Sequence, residues 1–66
     1  MNYKLNTELI KSKMLRKGYS ITKLASISQI SKSTIARAIK GQGTQRPQTI
    51  YKISQSLEID IKDITL

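Results

Sequence analysis

Between Ser20 and Gly41 the chain has room for only two short helices and a tight turn, and the second helix carries two chemically opposed faces. Ser31 is a favoured N-cap type, whose side-chain oxygen takes an orphan backbone N–H of the helix that follows. Over residues 32–40, at about 100° per residue, Ile35, Ala38 and Ile39 fall on one side. Lys32, Ser33, Arg37 and Lys40 fall on the other, and Ala36 between them keeps that face slim. A slim basic helix of roughly three turns, backed by an apolar seam, has the dimensions to enter a DNA major groove.

The rest of the chain must supply the core behind that seam. Sixty-six residues make one domain. Below about 70–80 residues a single core rarely supplies more than ~3–5 kcal/mol. Cysteine and histidine are both absent. That removes disulfides, thiolate metal sites and the commonest general base and metal ligand. Regular helix packing, helped by oligomerisation, is what remains.

The formal charge of +8 points to a polyanionic partner. Its distribution says more: from Leu9 to Leu57 there are ten Lys or Arg residues and no Asp or Glu. Glu58, Asp60 and Asp63 are gathered in the last nine residues. A basic surface kept for solubility is the plain alternative, but mixed charges serve that purpose equally well. No apolar run approaches the ~18 residues of a membrane span, and the first residues lack the apolar region of a signal peptide. The expected location is the cytoplasm.

Asn6 or Thr7 caps a first helix, with Glu8 near its positive end and Arg16 and Lys17 near its negative end. Ile10, Met14 and Leu15 form its inward stripe, and Gly18 stops it with Tyr19 tucked beneath. Ser20 caps a second helix to about Ile27, with Ile21, Leu24 and Ala25 inward, followed by the turn Ser28-Gln29-Ile30. Ile30 should point into the core and hold the angle between the two helices. After Gly41, a loop from Gln42 to Arg46 leads to Pro47 and a fourth helix over about 49–57, burying Ile50, Ile53 and Leu57. Asp60 caps a last short turn, with Asp63 as a capping-box partner. The expectation is five helices and no strands. Ile59, Ile61, Ile64 and Leu66 are more apolar residues than so short an element can bury alone. They offer either a dimer surface or packing against the first helix.

The joint pattern Ser20-x-x-x-Leu24-Ala25, Ile30-Ser31-x-Ser33-Thr34-Ile35-x-Arg37, Gly41, Arg46-Pro47, Thr49-Ile50-x-Lys52-Ile53 and Ser56-Leu57 resembles the phage repressor/Cro-type helix-turn-helix family. The resemblance runs from about Ile10 to Ile64. It implies a compact all-α, five-helix, lambda repressor-like domain with the helix-turn-helix at about 20–40, a short arm at 1–5 and a C-terminal turn at 58–66. It implies base contacts from Lys32, Ser33 and Arg37. Lys and Arg suit guanine O6 and N7, and the Arg fork makes two bonds at once. Phosphate contacts would come from Ser31, Lys40, Thr44, Gln45, Arg46 and Lys23, setting register and affinity rather than sequence choice. Gln48 would approach the minor groove or merely start a helix.

The chain departs from the family pattern in three ways. Ile21 replaces a Gln that bonds phosphate, and Gln29 replaces a turn Gly, so a left-handed backbone there carries a cost. Met14 and Ile39 stand where many relatives carry an Arg–Glu pair, which an apolar contact can replace without loss of stability.

The partner expected is double-stranded operator DNA, bound by a homodimer whose recognition helices lie roughly 34 Å apart. The length leaves no room for a sensing or protease domain, so no small-molecule ligand or cofactor is expected. A Cro-like protein of a phage or mobile element, or the DNA-binding piece of a longer repressor, fits best. An antitoxin-type protein with a protein partner shares the fold, but only residues 1–5 are spare for a toxin-binding arm. A cationic membrane-surface peptide is disfavoured, because Gly18, Gly41, Gly43 and Pro47 break the chain into short helices. Without His, Cys or a base beside any Ser, the chain reads as a non-enzyme.

Overall fold

The computed structural model describes residues 3–66, and Met1 and Asn2 of the expected arm lie outside them. Five helices follow in order: α1 (Thr7–Lys17), α2 (Ile21–Ser28), α3 (Lys32–Lys40), α4 (Pro47–Leu57) and α5 (Ile61–Ile64). Their starts are set by side-chain caps. Asn6 accepts from the Leu9 N–H, Ser20 from Lys23, Ser31 from Thr34 and Asp60 from Lys62. The α4 start differs: Arg46 makes no side-chain cap, and Pro47 sits in the first turn, where its missing N–H costs nothing. That places the start of α4 two residues earlier than the expected 49.

Each of the four longer helices ends on a left-handed residue: Gly18, Gln29, Gly41 and Glu58. Gly41, at φ 72°, lets the chain leave α3 while its N–H and that of Gln42 bond the last carbonyls. Gln29 (φ 60°) and Glu58 (φ 56°) adopt the same backbone with a Cβ, which for an L-residue costs roughly 1–2 kcal/mol. The expected strain at Gln29 is therefore present. It is what the tight α2–α3 turn requires.

The core is aliphatic. Ile10 and Met14 of α1, Leu24 and Ala25 of α2, Ile35 and Ala38 of α3, and Ile50, Ile53 and Leu57 of α4 meet in one cluster. Helix α3 lies against both α1 and α2, and α4 closes the other side of α2. Two buried hydroxyls are satisfied within their own helices, Ser28 by the Leu24 carbonyl at 2.6 Å and Ser54 by that of Tyr51 at 2.7 Å. Met14 is buried and Ile39 packs against the cluster, so no ion pair is needed at those positions.

Several inward assignments change. Leu15 is 83 % exposed and Leu9 packs on the core in its place, because the α1 contact face is centred one residue over from the 10–14–15 stripe. Ile21 is 37 % exposed at the first position of α2, one turn before the buried Leu24 and Ala25. Ile59 and Ile64, read as part of a dimer surface, are 7 % and 0 % exposed inside the chain's own core and are not available to a partner. Ile61 and Leu66 stay outside.

The arm is not spare. Tyr3 and Gln45 form an antiparallel bridge, and so do Leu5 and Thr65. Leu5 is buried in the core cluster. Both pairings are single bridges too short to make strands, contacts that the expectation of helices alone did not include.

One ion pair is present among the described residues. Lys17 Nζ lies 2.6 Å from Glu58 Oε1 and ties the end of α1 to the end of α4. The hydrogen bond from Lys17, then its charge, holds the Glu58 carboxyl below the ordinary carboxylate range. The same bond holds the Lys17 ammonium above the ordinary lysine range. Lowering in the folded state means that the Glu58 contribution is complete above the unfolded carboxyl's range and is lost as pH falls through the folded value. The Lys17 contribution is complete below the ordinary lysine range and is lost as pH rises through its raised value.

Two outcomes are expected. Replacing Gln29→Gly should raise unfolding stability by ~1 kcal/mol in urea, since the backbone conformation is then free of Cβ strain. Glu58→Gln should be less stable than wild type between the carboxylate and lysine ranges, with the difference shrinking to nothing on acidification. A difference that persisted in strong acid would assign the loss to something other than the ion pair.

Candidate nucleic-acid interface

Helix α3 is set by its two faces. Ile35 and Ala38 are 0 % and 2 % exposed, which fixes the rotation of the helix about its axis. With that face committed inward, Lys32, Ser33, Arg37 and Lys40 are all exposed on the outside, as the helical spacing predicts. Among the described residues none of these cations is paired with a carboxylate, because the one ion pair is that of Lys17 and Glu58.

The start of α3 is held by a hydroxyl network. Ser31 Oγ accepts from the Thr34 N–H at 3.3 Å and donates to Thr34 Oγ1 at 2.8 Å. Ser33 Oγ lies 3.3 Å from Ser31 Oγ. Ser31 is therefore occupied as a cap yet exposed, and the first residues of α3 are presented on a fixed backbone.

Beyond α3 the chain turns back so that Thr34, Arg37, Thr44, Gln45, Arg46 and Thr49 line one shallow, polar concavity. Arg37 of α3 and Arg46 at the head of α4 thus share a wall, although they are far apart in the helix-turn-helix reading. Thr34 and Thr49 were not among the expected contacts. The signal for Thr34 was available, since it stands one turn before Arg37 on the same helix. Thr49 depends on how α4 meets α3, which no local spacing gives.

The remaining expected residues are distributed unevenly. Lys23, Gln48 and Thr44 are exposed. Gln45 is 7 % exposed and its N–H is donated to the Tyr3 carbonyl at 2.8 Å, so it has little to offer an external phosphate. Lys17, one of the basic residues of α1, is held by Glu58 and lies 6.0 Å from the Tyr19 ring centroid. Its charge is already answered within the chain.

Residues 10–64 match the helix-turn-helix family profile. The chain belongs to the phage repressor/Cro-type helix-turn-helix family. This is a DNA-binding domain family, and the match takes in all of α2, the turn, α3 and the loop that follows. Among solved structures, the restriction-modification controller protein C.AhdI from Aeromonas hydrophila is similar at a TM-score of 0.78, with 23 % identity over 86 % of each chain. A chain of the complex between the SinR and SinI proteins is similar at a TM-score of 0.75, with 27 % identity over 83 % of this chain and 54 % of that one. This helix-turn-helix chain thus spans about half the length of the latter. No curated protein matches it in sequence. No helix of the described residues is long and apolar enough to cross a membrane.

Proposed function

We propose that this helix-turn-helix protein is a sequence-specific transcriptional regulator that binds a near-palindromic operator as a homodimer, with α3 in the major groove. The observation that carries the reading is the outer face of α3: exposed Lys32, Ser33 and Arg37, free of carboxylate partners, on a helix whose opposite face is sealed in the core. Arg37 reads a guanine through two parallel bonds, and Lys32 and Ser33 read neighbouring base edges. Ser31, Lys40, Thr44, Arg46 and Lys23 hold phosphates and set the register. Gln48, exposed in the first turn of α4, starts that helix and is given at most an approach to the minor groove. Catalysis has no part in this function, and neither a cofactor nor a small ligand is needed. The protein acts in the bacterial cytoplasm, as a Cro- or repressor-like product of a phage or mobile element.

A second copy is needed because one recognition helix reads too few base pairs to define an operator. Half-sites lie roughly one helical turn, or about 34 Å, apart. One protomer measures 29 × 21 × 18 Å, so two copies packed side by side about a two-fold axis reach that spacing. The apolar groove lined by Tyr3, Pro47, Ile50, Ile61 and Thr65, with Leu66 exposed nearby in sequence, is the surface this reading gives to the partner copy.

Selection from a random duplex library at about physiological salt tests the reading directly. A two-fold-symmetric consensus with half-sites about one turn apart is expected. On the selected site, Arg37→Ala should weaken binding by ~1–3 kcal/mol and relax choice at one base pair. Equal losses on every sequence would deny Arg37 a base. Binding without any enrichment, vanishing as salt rises, would leave only a phosphate term and favour a protein partner. Ile61→Asp, at a half-exposed position, should shift sedimentation from dimer to monomer with the fold intact. A dimer unchanged by that substitution would move the interface elsewhere.

A further inference from the structure

We infer that the extended N-terminal segment, residues 3–6, is a clamp that aims the α3–α4 loop at the DNA backbone, with Tyr3 as its positioning residue. The inference rests on the DNA-binding reading above and adds to it a part of the chain outside the helix-turn-helix.

The loop from Gln42 to Arg46 needs external support. Gly43 lies at φ 69° and brings no side chain to anchor the turn. The Gln42 N–H is bonded back to Arg37 at 3.0 Å, and the Arg46 carbonyl already belongs to α4, accepting from Ile50. Between those two ends, among the described residues, the only backbone bonds are the pair exchanged with Tyr3. The Tyr3 N–H donates to the Gln45 carbonyl at 2.9 Å, and the Gln45 N–H donates to the Tyr3 carbonyl at 2.8 Å.

This reciprocal pair does more than tether. Extended backbone sends successive side chains to opposite sides. Once Gln45 is paired and turned inward, Thr44 and Arg46 are turned outward, and the exposures follow that alternation: Gln45 is buried between two exposed neighbours. Thr44 and Arg46 reach the polar concavity that Thr34, Arg37 and Thr49 complete, and Gln45, though it also borders that concavity, is the buried one of the three loop residues. A loop slipped by one residue would bury Arg46 and present Gln45 in its place.

A clamp must itself be fixed, and this one is held on its other edge and from below. Asn6 N–H donates to the Ile64 carbonyl at 2.7 Å, and the Leu66 N–H donates to the Lys4 carbonyl at 3.0 Å. Leu5, 5 % exposed, is anchored in the core. Residues 3–6 therefore transmit the position of the core and of the α5 tail to the loop that carries Arg46.

The test compares Tyr3→Pro, which removes the N–H, with Tyr3→Ala, which removes the ring but keeps it. Each is measured in the 66-residue chain on the selected operator across a salt series, alone and in an Arg46→Ala background. If the clamp aims Arg46 at a phosphate, Tyr3→Pro lowers the slope of log K against log salt by about one, the loss of one phosphate contact. Tyr3→Ala, which takes the same ring out of the apolar groove given to the partner copy, lacks that slope change whatever overall affinity it loses, and Tyr3→Pro differs no further from Tyr3→Ala once Arg46 is gone. A wild-type slope in Tyr3→Pro overturns the clamp, and so does an equal loss in both variants, which would assign the effect to the ring. Amide exchange of Gln45 in the unaltered, DNA-free protein stands as a check that needs no substitution. Protection is expected, and exchange at the rate of a free loop overturns the inference. A wild-type protein that binds no duplex would instead overturn the DNA reading, before any variant is compared.

Discussion

Everything displayed by this protein depends on the burial of one seam on α3. Ile35 and Ala38 are sealed against α1 and α2, and a nine-residue helix with two fully buried positions one turn apart has no freedom to roll. The polar face is therefore not arranged by its own interactions. It is what remains outside when the apolar face goes in. Ser31 at one end and Gly41 at the other limit how far that face extends along the axis.

A small aliphatic core gives this arrangement little margin, and the chain compensates by tying its ends. The Lys17–Glu58 pair joins the ends of α1 and α4 at the surface. The segment from Tyr3 to Asn6 lies between the Gln45 loop and the residues that follow α5, bonded to each. Strained left-handed residues at Gln29 and Glu58 are tolerated because the tight turns they make bring α2 against α3 and α4 against α5. Positive charge is concentrated away from the acidic C-terminal residues, so the cations of α3 and its following loop meet no internal carboxylate that would quench them.

The helical parts were legible because their signals are local. Caps at Asn6, Ser20, Ser31 and Asp60, stops at Gly18 and Gly41, and the apolar spacing within α3 each involve residues less than two turns apart. Leu15 and Ile21 were misplaced because periodicity gives a face about 100° wide and not its centre. Which edge of that stripe is covered depends on the neighbouring helix. Ile59 and Ile64 show the same limit in another form: an excess of apolar residues marks burial, but not whether the covering surface is the same chain or a second one.

The sequence by itself determined the helix-turn-helix, the polarity of α3 and the sign of the charge it presents, because backbone periodicity, capping and net charge are properties of neighbouring residues. Only the tertiary structure decided that Gln45 turns inward while Thr44 and Arg46 turn out, and that Tyr3 is what holds them so. It also decided that Thr34, Arg37, Arg46 and Thr49 share one concavity. These follow from pairing between segments distant in the chain, where hydrogen bonds join whichever backbone groups the packed core has already brought within reach.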